Sequence, residues 1–412
     1  MEQTEKAISF EQLSSDLNAK TLQLHWLLQI TKAINYNFST RELLNVYKDV
    51  VQKHLKVEKL ALFVHDEQWK CSLLYGVDEN FKTVDAKTII EELNKLHNIE
   101  QAEELWIKNF DTIIPVSHKD NILAYALIGD IGNSPIKRKN ELSAFVQTVT
   151  NLIVVAVENN HIASERIRQA AIKRELELAA QMQNMLFPVS LPDNDKIELH
   201  ATYLPHQEVG GDYYDFIQLN ENEFVFCMAD VSGKGIPAAL LMSNFQANLH
   251  AHLDGSVSLA ELVKLLNSKV HQSAKGEKFI TFFIAKYNQL THELLYVNAG
   301  HNPPFVVHDK VIYMLTDGST GLGMFEELPF VNAGRLFLPA NAMLHCYTDG
   351  VTDTENDEGK EYGIERLREF LMLNNNSKIV SLHKKLIEEL TAYKQAQLFI
   401  DDITLLSCRF KN

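Results

Sequence analysis

The chain has 412 residues, 46% of them apolar and 23% charged, with a formal net charge of −15. That length exceeds one ordinary hydrophobic core and predicts two or three domains, while the apolar share excludes wholesale disorder. The acidic balance argues against a general nucleic-acid binder, whose phosphate contacts need a basic surface.

The N-terminal MEQTEKAISF is polar and carries no charged-then-apolar signal. Residues 10–56 read as helix, with Leu24, Leu27, Leu28 and Ile34 at mixed three- and four-residue spacing. Two strand-like runs follow, KLALFVH and KCSLLYGV, split by the turn-like DEQW; TIIPVS and ILAYALIGD, around HKDN, suggest a second hairpin. The helical stretch NELSAFVQTVTNLIVVAVENN closes the block. Helices flanking an antiparallel sheet make residues 1–158 an α+β domain, and in order and length it resembles a GAF-type sensor domain. The longest strongly apolar run, LIVVAV at 152–157, is too short to span a bilayer, so no membrane span and a cytoplasmic location are expected.

Residues 159–190 are rich in Ala, Glu, Arg, Gln and Leu, and lack glycine and proline until Pro188, which predicts one long helical linker. Ile167, Ala171, Leu178 and Met185 fall on a heptad-like seam that Arg174 and Gln181 interrupt. Two readings stay open: a helix packed on its own domain, or a two-stranded coiled coil joining sensor to effector in a homodimer, which the seam favours.

From residue 191 to 412 the texture changes. EFVFCMAD is a nearly continuous apolar strand, Pro237 opens the helix PAALLMSNFQANLHAHL, and Ser258 with Glu261 forms a capping box before a second helix. Strands KFITFFIAKYN, HELLYVNAG, PPFVVHD, KVIYML and AMLHCYTDG, two helices, and the strand DDITLLSC complete an αββα-like sandwich. Cys71, Cys227, Cys346 and Cys408 lie far apart without CxxC spacing and read as buried thiols of a reducing compartment.

Within this half, EVGGDYYDF at 208–216 has three readings: Asp212 as a metal ligand, as part of the GGD turn of a nucleotide cyclase, or as a plain turn residue. Asp212 follows VGG, Asp230 ends VFCMA, Asp349 ends LHCYT, and Asp401 opens DITLL beside Asp402, so aspartates recur at the ends of apolar strands. Were they to converge, like charges about 4 Å apart would repel by roughly 4 kcal/mol at an effective dielectric of 20, and a cation would be required. Oxygen ligands without cysteine or a histidine pair point to Mg²⁺ or Mn²⁺; two such ions clamp a phosphate and lower the pKa of a shared water.

Six ordered motifs, EVGGDYYDF, MADVSGKGIPAALLMS, NAGHNPP, GLGMF, YTDGVTDTEN and DDITLL, resemble the metal-dependent protein serine/threonine phosphatases, and within them the bacterial SpoIIE/RsbU type. The resemblance implies a binuclear Mn²⁺ or Mg²⁺ centre in a β-sandwich cleft. In it Asp230 bridges two ions, the Val231 carbonyl and Asp212 serve one, and Asp349 with Asp401 serves the other, with Asp402 the lesser candidate of that pair. Glycines 210, 211 and 233 would let the backbone approach the ions. The implied substrate is phosphoserine or phosphothreonine on a regulatory protein such as an anti-sigma-factor antagonist.

The chain departs from the wider family where Ser232 replaces a histidine proposed as general acid, and where YLPHQ ahead of GGD supplies no phosphate-binding arginine. His301, in place of an acid near a third metal, is the candidate acid, with water and a hairpin-turn role as its rivals. A cyclase would continue GGD with Glu-Phe, and SGKG lacks the spacing of a phosphate loop, which leaves Lys234 a solvated turn residue. The remaining alternative is a catalytically inactive phosphatase-fold scaffold that relays a signal.

Overall fold

The structure is a computed structural model and describes residues 10–66, 68–77, 90, 110–118, 121–255, 257–309 and 311–411. The hairpin positions Glu67, Lys119 and Asp120, and the first nine residues, lie outside the described residues. Two compact units divide at residues 170 and 171.

In the first unit, the expected single helical region is α1 (Phe10–Asn35) and α2 (Thr40–Lys48), followed by a π-helical turn at Asp49–His54. The break has a local cause: Asn37 adopts a left-handed φ of 54°, and Ser39 caps α2 in a reciprocal capping box with Glu42. Strands β1 (Lys59–Asp66), β2 (Gln68–Tyr75), β3 (Thr112–His118) and β4 (Asn121–Gly129) form an antiparallel sheet in the order β2-β1-β4-β3. The first hairpin is tighter than DEQW suggested, since Asp66 already pairs with Gln68. Leu60, Leu62 and Val64 face a core shared with Trp26, Ile30, Tyr47, Val146 and Val149, while Ala61 and Phe63 join Ile90 and Phe110 on the other face. Cys71 is exposed, against expectation, because it stands on the outer strand β2; the other three cysteines are buried and free.

Helix α3 (Lys139–Asn184) runs 46 residues. By length and composition it passes for a membrane span, which the short run LIVVAV did not suggest, yet 44% of its most apolar stretch is buried and Val146, Val149, Ile153 and Val154 lie in the first unit's core.

In the second unit, a five-stranded sheet has the order β11-β10-β14-β15-β5, from β5 (Ile197–Leu204), β10 (Phe305–His308), β11 (Val311–Met314), β14 (Met343–Tyr347) and β15 (Ile403–Phe410). A second sheet runs β12-β9-β8-β7-β6, with β6 (Tyr213–Gln218), β7 (Glu223–Val231), β8 (Ile280–Asn288), β9 (Glu293–Ala299) and β12 (Gly318–Ser319); β13 (Gly334–Phe337) also pairs with β9. Strand alternation explains the apolar continuity of β7. Phe224, Phe226 and Met228 fill the space between the sheets with Leu344, Leu406 and Phe410. Val225, Cys227 and Ala229 turn outward against Met242 and Phe245 of α4 (Ile236–His252) and Leu262 and Leu266 of α5 (Leu259–Ala274). On the opposite flank α6 (Ile364–Asn374) and α7 (Ile379–Lys394) cover Phe305, Tyr347, Ile403 and Leu405. Each sheet is thus buried on both faces, giving helix, sheet, sheet, helix layers.

Candidate active site

Strand ends position the acidic residues. Asp212 precedes β6, Asp230 is the last residue but one of β7, Asp349 follows β14, and Asp401 and Asp402 precede β15. Because β14 and β15 are hydrogen-bonded neighbours, Tyr347 opposite Leu405 brings Asp349 and Asp401 to one edge of their sheet.

Asp212 is 2% exposed, and its Oδ2 accepts hydrogen bonds from Thr348 Oγ1, at 2.8 Å, and from Thr404 Oγ1. Burial, then Asp230 and Asp402, drive its carboxyl well above the ordinary range, against the two threonine hydroxyls. Burial also pushes Asp230 up to about 7, with Asp349, Asp401 and Asp402 adding to it and a hydrogen bond involving Asp212 opposing it. Asp349 rises to about 6 through burial, Asp401 and Asp353, opposed by the Gly350 amide and Lys234. Five carboxylates therefore share one electrostatic neighbourhood.

They are not equivalent. Asp402 is nearly buried, and its two oxygens accept the amides of His206 at 2.7 Å and Gly211 at 2.8 Å, so it fastens the loop carrying the glycine pair. Asp401 Oδ1 accepts the Asp402 amide at 2.8 Å, and its Oδ2 meets Lys234 Nζ at 2.8 Å. Lys234 is therefore an ion-paired residue of the site, in contrast to the solvated turn residue suggested by its sequence context. Among the described residues no three His, Cys, Asp or Glu side chains close around one point as a finished ion cage; threonines, amides and a lysine bond several of the aspartate oxygens.

The glycines let strand ends touch. A Cβ on Gly210 would stand 2.2 Å from Asp402 Oδ2, and one on Gly211 would stand 2.9 Å from the carbonyl oxygen of Val231. Gly233 has a φ of 91°, in the left-handed region. A divalent ion fits the chemistry of this donor set: oxygens alone, carboxyls in contact whose ionisation the protein itself opposes, and a backbone carbonyl beneath a residue without a side chain.

His301 is placed beside this group, with its Nδ1 2.9 Å from Thr281 Oγ1, and Thr281 is the cross-strand partner of Asp230. It is 3% exposed and burial pulls its pKa down to about 3; the Tyr347 carbonyl opposes the shift, yet its Nε2 lacks a partner in hydrogen-bond geometry. Burial keeps the ring neutral at physiological pH, so it holds no spare proton as an imidazolium. Ser232 Oγ accepts the Phe279 amide at 2.9 Å and serves the loop.

Three supporting residues went unnoticed in the sequence. Thr348, next to Asp349, and Thr404, two residues after Asp402, hold Asp212. Gln183, near the end of α3, is 6% exposed and hydrogen-bonds both the carbonyl and the amide of Gly210, at 2.8 and 3.2 Å. The threonines were legible as hydroxyls inside YTDG and DDIT; Gln183 carried no local signal.

Residues 220–411 match the family model described as Stage II sporulation protein E (SpoIIE). Over 247 residues the chain is 32% identical to the phosphoserine phosphatase RsbU of Bacillus subtilis (strain 168), covering 59% of this chain and 72% of RsbU. The chain belongs to the SpoIIE family. It is also 28% identical to the phosphoserine phosphatase RsbP of the same organism over 56% of each chain, and 26% identical to protein IcfG of Synechocystis sp. over 68% of this chain and 46% of IcfG. The chain thus spans about half the length of those two relatives. The SiaA-PP2C domain of Pseudomonas aeruginosa has the same fold, with a TM-score of 0.52 at 18% identity over 59% of this chain and 99% of that domain. The SpoIIE match includes Asp230, Asp349, Asp401 and Asp402, whereas Asp212 lies ahead of it.

Proposed function

We propose that this SpoIIE-family chain is a metal-dependent protein phosphatase that hydrolyses phosphoserine or phosphothreonine on a regulatory protein, with an anti-sigma-factor antagonist as the candidate substrate. The observation that carries the reading is the placing of Asp212 beside Asp230, two carboxyls whose ionisation is opposed by burial and by each other's charge and would be favoured by a cation. The names of RsbU and RsbP as phosphoserine phosphatases support the substrate class.

In this reading Asp212, Asp230, Asp349 and Asp401, with the Val231 carbonyl, would hold two Mn²⁺ or Mg²⁺ ions. Bound there, the ions would neutralise the carboxylates and supply the Lewis acidity that makes water a nucleophile at neutral pH. Thr348 and Thr404 aim Asp212, and Asp402 keeps the Gly210–Gly211 backbone against the site. The reaction forms a phosphorus–oxygen bond to water and breaks the ester bond to the serine oxygen. Water loses the proton, and the serine oxygen takes one from solvent.

The first unit would act as a GAF-like sensor, and α3 would pass its state to the phosphatase unit through Gln183 and pair with a second copy as a coiled coil; the exposed Ile167, Leu178 and Met185 support such a seam. A cytoplasmic setting suits a phosphoprotein substrate. The alternative, a scaffold that relays a signal without turnover, draws on the unfinished ion cage. Hydrolysis of an aryl phosphate with added Mn²⁺ separates the two: the enzyme reading expects turnover that Asp349→Asn abolishes, and no turnover with any divalent metal would overturn it.

A further inference from the structure

A site that removes phosphate from a protein has to attract a dianion into a group of carboxylates. The chain offers no arginine ahead of GGD for this purpose. Among the described residues, Lys234 is the one lysine or arginine in an ion pair with any of Asp212, Asp230, Asp349, Asp401 and Asp402. Its Nζ lies 2.8 Å from Asp401 Oδ2 and also donates to the Ile400 carbonyl. Its charge reaches Asp349 as well, where it opposes the upward shift caused by burial.

The loop is built to present this side chain. Lys234 stands between β7 and α4, flanked by Gly233 and Gly235 with φ of 91° and 70°, left-handed conformations that suit glycine. Lys278 donates to the Ser232 carbonyl at 2.8 Å and thereby ties the loop to the start of β8. The Lys234 side chain stays 42% exposed. An ion pair so exposed is too weak to lock the ammonium onto Asp401. An ammonium has three N–H donors, and two are engaged here, so one remains for an arriving oxygen.

We propose that Lys234 is the substrate-binding cation of this site: its ammonium, held at the mouth of the carboxylate group by Asp401, donates to the phosphoryl oxygens of the phosphoprotein. The proposal rests on the phosphatase reading and supplies the phosphate contact that the missing arginine leaves open. It assigns SGKG a role beyond shaping a turn.

The experiment compares the full-length parent, Lys234→Gln and Lys234→Arg. Calorimetry of inorganic phosphate binding to the Mn²⁺-loaded proteins gives a readout independent of turnover, and steady-state hydrolysis of an aryl phosphate gives kcat, KM and inhibition by phosphate. The expected result for Lys234→Gln is phosphate binding weakened about tenfold, with KM and the phosphate inhibition constant raised to match, and unweakened Mn²⁺ binding. Lys234→Arg should stay within a few-fold of the parent because it keeps the cation, while the unweakened Mn²⁺ binding of Lys234→Gln excludes a folding defect in that variant. Equal phosphate affinity in parent and Lys234→Gln overturns the proposal, as does a loss traceable to weaker Mn²⁺ binding. A parent without turnover but with lysine-dependent phosphate binding would sink the enzyme reading and leave the phosphate site standing.

Discussion

Gln183 grips Gly210 at both of its backbone hydrogen-bonding groups, donating to the carbonyl at 2.8 Å and accepting the amide at 3.2 Å. This joins the last turn of α3 to the residue two places before Asp212. Both bonds are buried, so removing the side-chain amide strands two backbone groups, each worth about 1–3 kcal/mol. Gln183→Leu should therefore destabilise the second unit by about 2 kcal/mol or more in urea denaturation and lower phosphatase turnover several-fold. Unchanged turnover would show that the loop holds itself.

The carboxylate group predicts an inversion of stability with metal. The raised Asp230 keeps its proton up to about pH 7 in the folded chain, whereas an unfolded aspartate releases it near 3.9. Its cost is fully present above pH 7 and fades as pH falls toward 4. Asp230→Asn should accordingly raise the melting temperature in chelator at pH 8, by the equivalent of about 2 kcal/mol, and the gain should shrink at pH 5. Added Mn²⁺ should stabilise the parent and not the variant. A thermal scan with and without metal checks both.

A second titration has the opposite sign. His345 and His383 both bond the Ser407 hydroxyl at 2.8 Å, Thr202 caps the other nitrogen of His383, and His200 and Arg409 stand close by. Burial holds His345 down to about 3 and His383 well below its ordinary value. Their neutral forms contribute stability that is lost as pH falls below about 6.5, for His345 down to about pH 3, at about 1.4 kcal/mol per pH unit. His383→Gln should flatten the acid limb of a stability–pH curve by about one proton; an unaltered slope would place the acid sensitivity elsewhere.

Regulation through the first unit predicts that a chain lacking residues 1–155 differs from the full chain in kcat or in its Mn²⁺ requirement. Identical kinetics in the two chains would remove α3 from the account.

Much of this was legible in the sequence because strand chemistry is local. The apolar continuity of EFVFCMAD announced a strand covered on both faces, and the aspartates at strand ends announced one edge of a sandwich. What escaped reading depended on distant partners. The helical break at Asn37 was signalled by the capping-box spacing of Ser39 and Glu42 but masked by the helical spacing on either side, and β5 and β13 lack the continuous apolar run of EFVFCMAD. Lys234 resembled any turn lysine until Asp401, far along the chain, came to meet it. His301 had the right chemistry for an acid, but its depth is set by Thr281 and the strand behind it, which spacing does not reveal.

Phosphate release from a phosphoserine protein, followed against Mn²⁺ concentration for the parent and Asp230→Asn, bears on the whole account at once. Release should rise saturably with Mn²⁺ in the parent, vanish in chelator and be lost in the variant. Release that persists in chelator, or that survives in Asp230→Asn, would contradict the claim that gathered aspartates work by holding divalent ions.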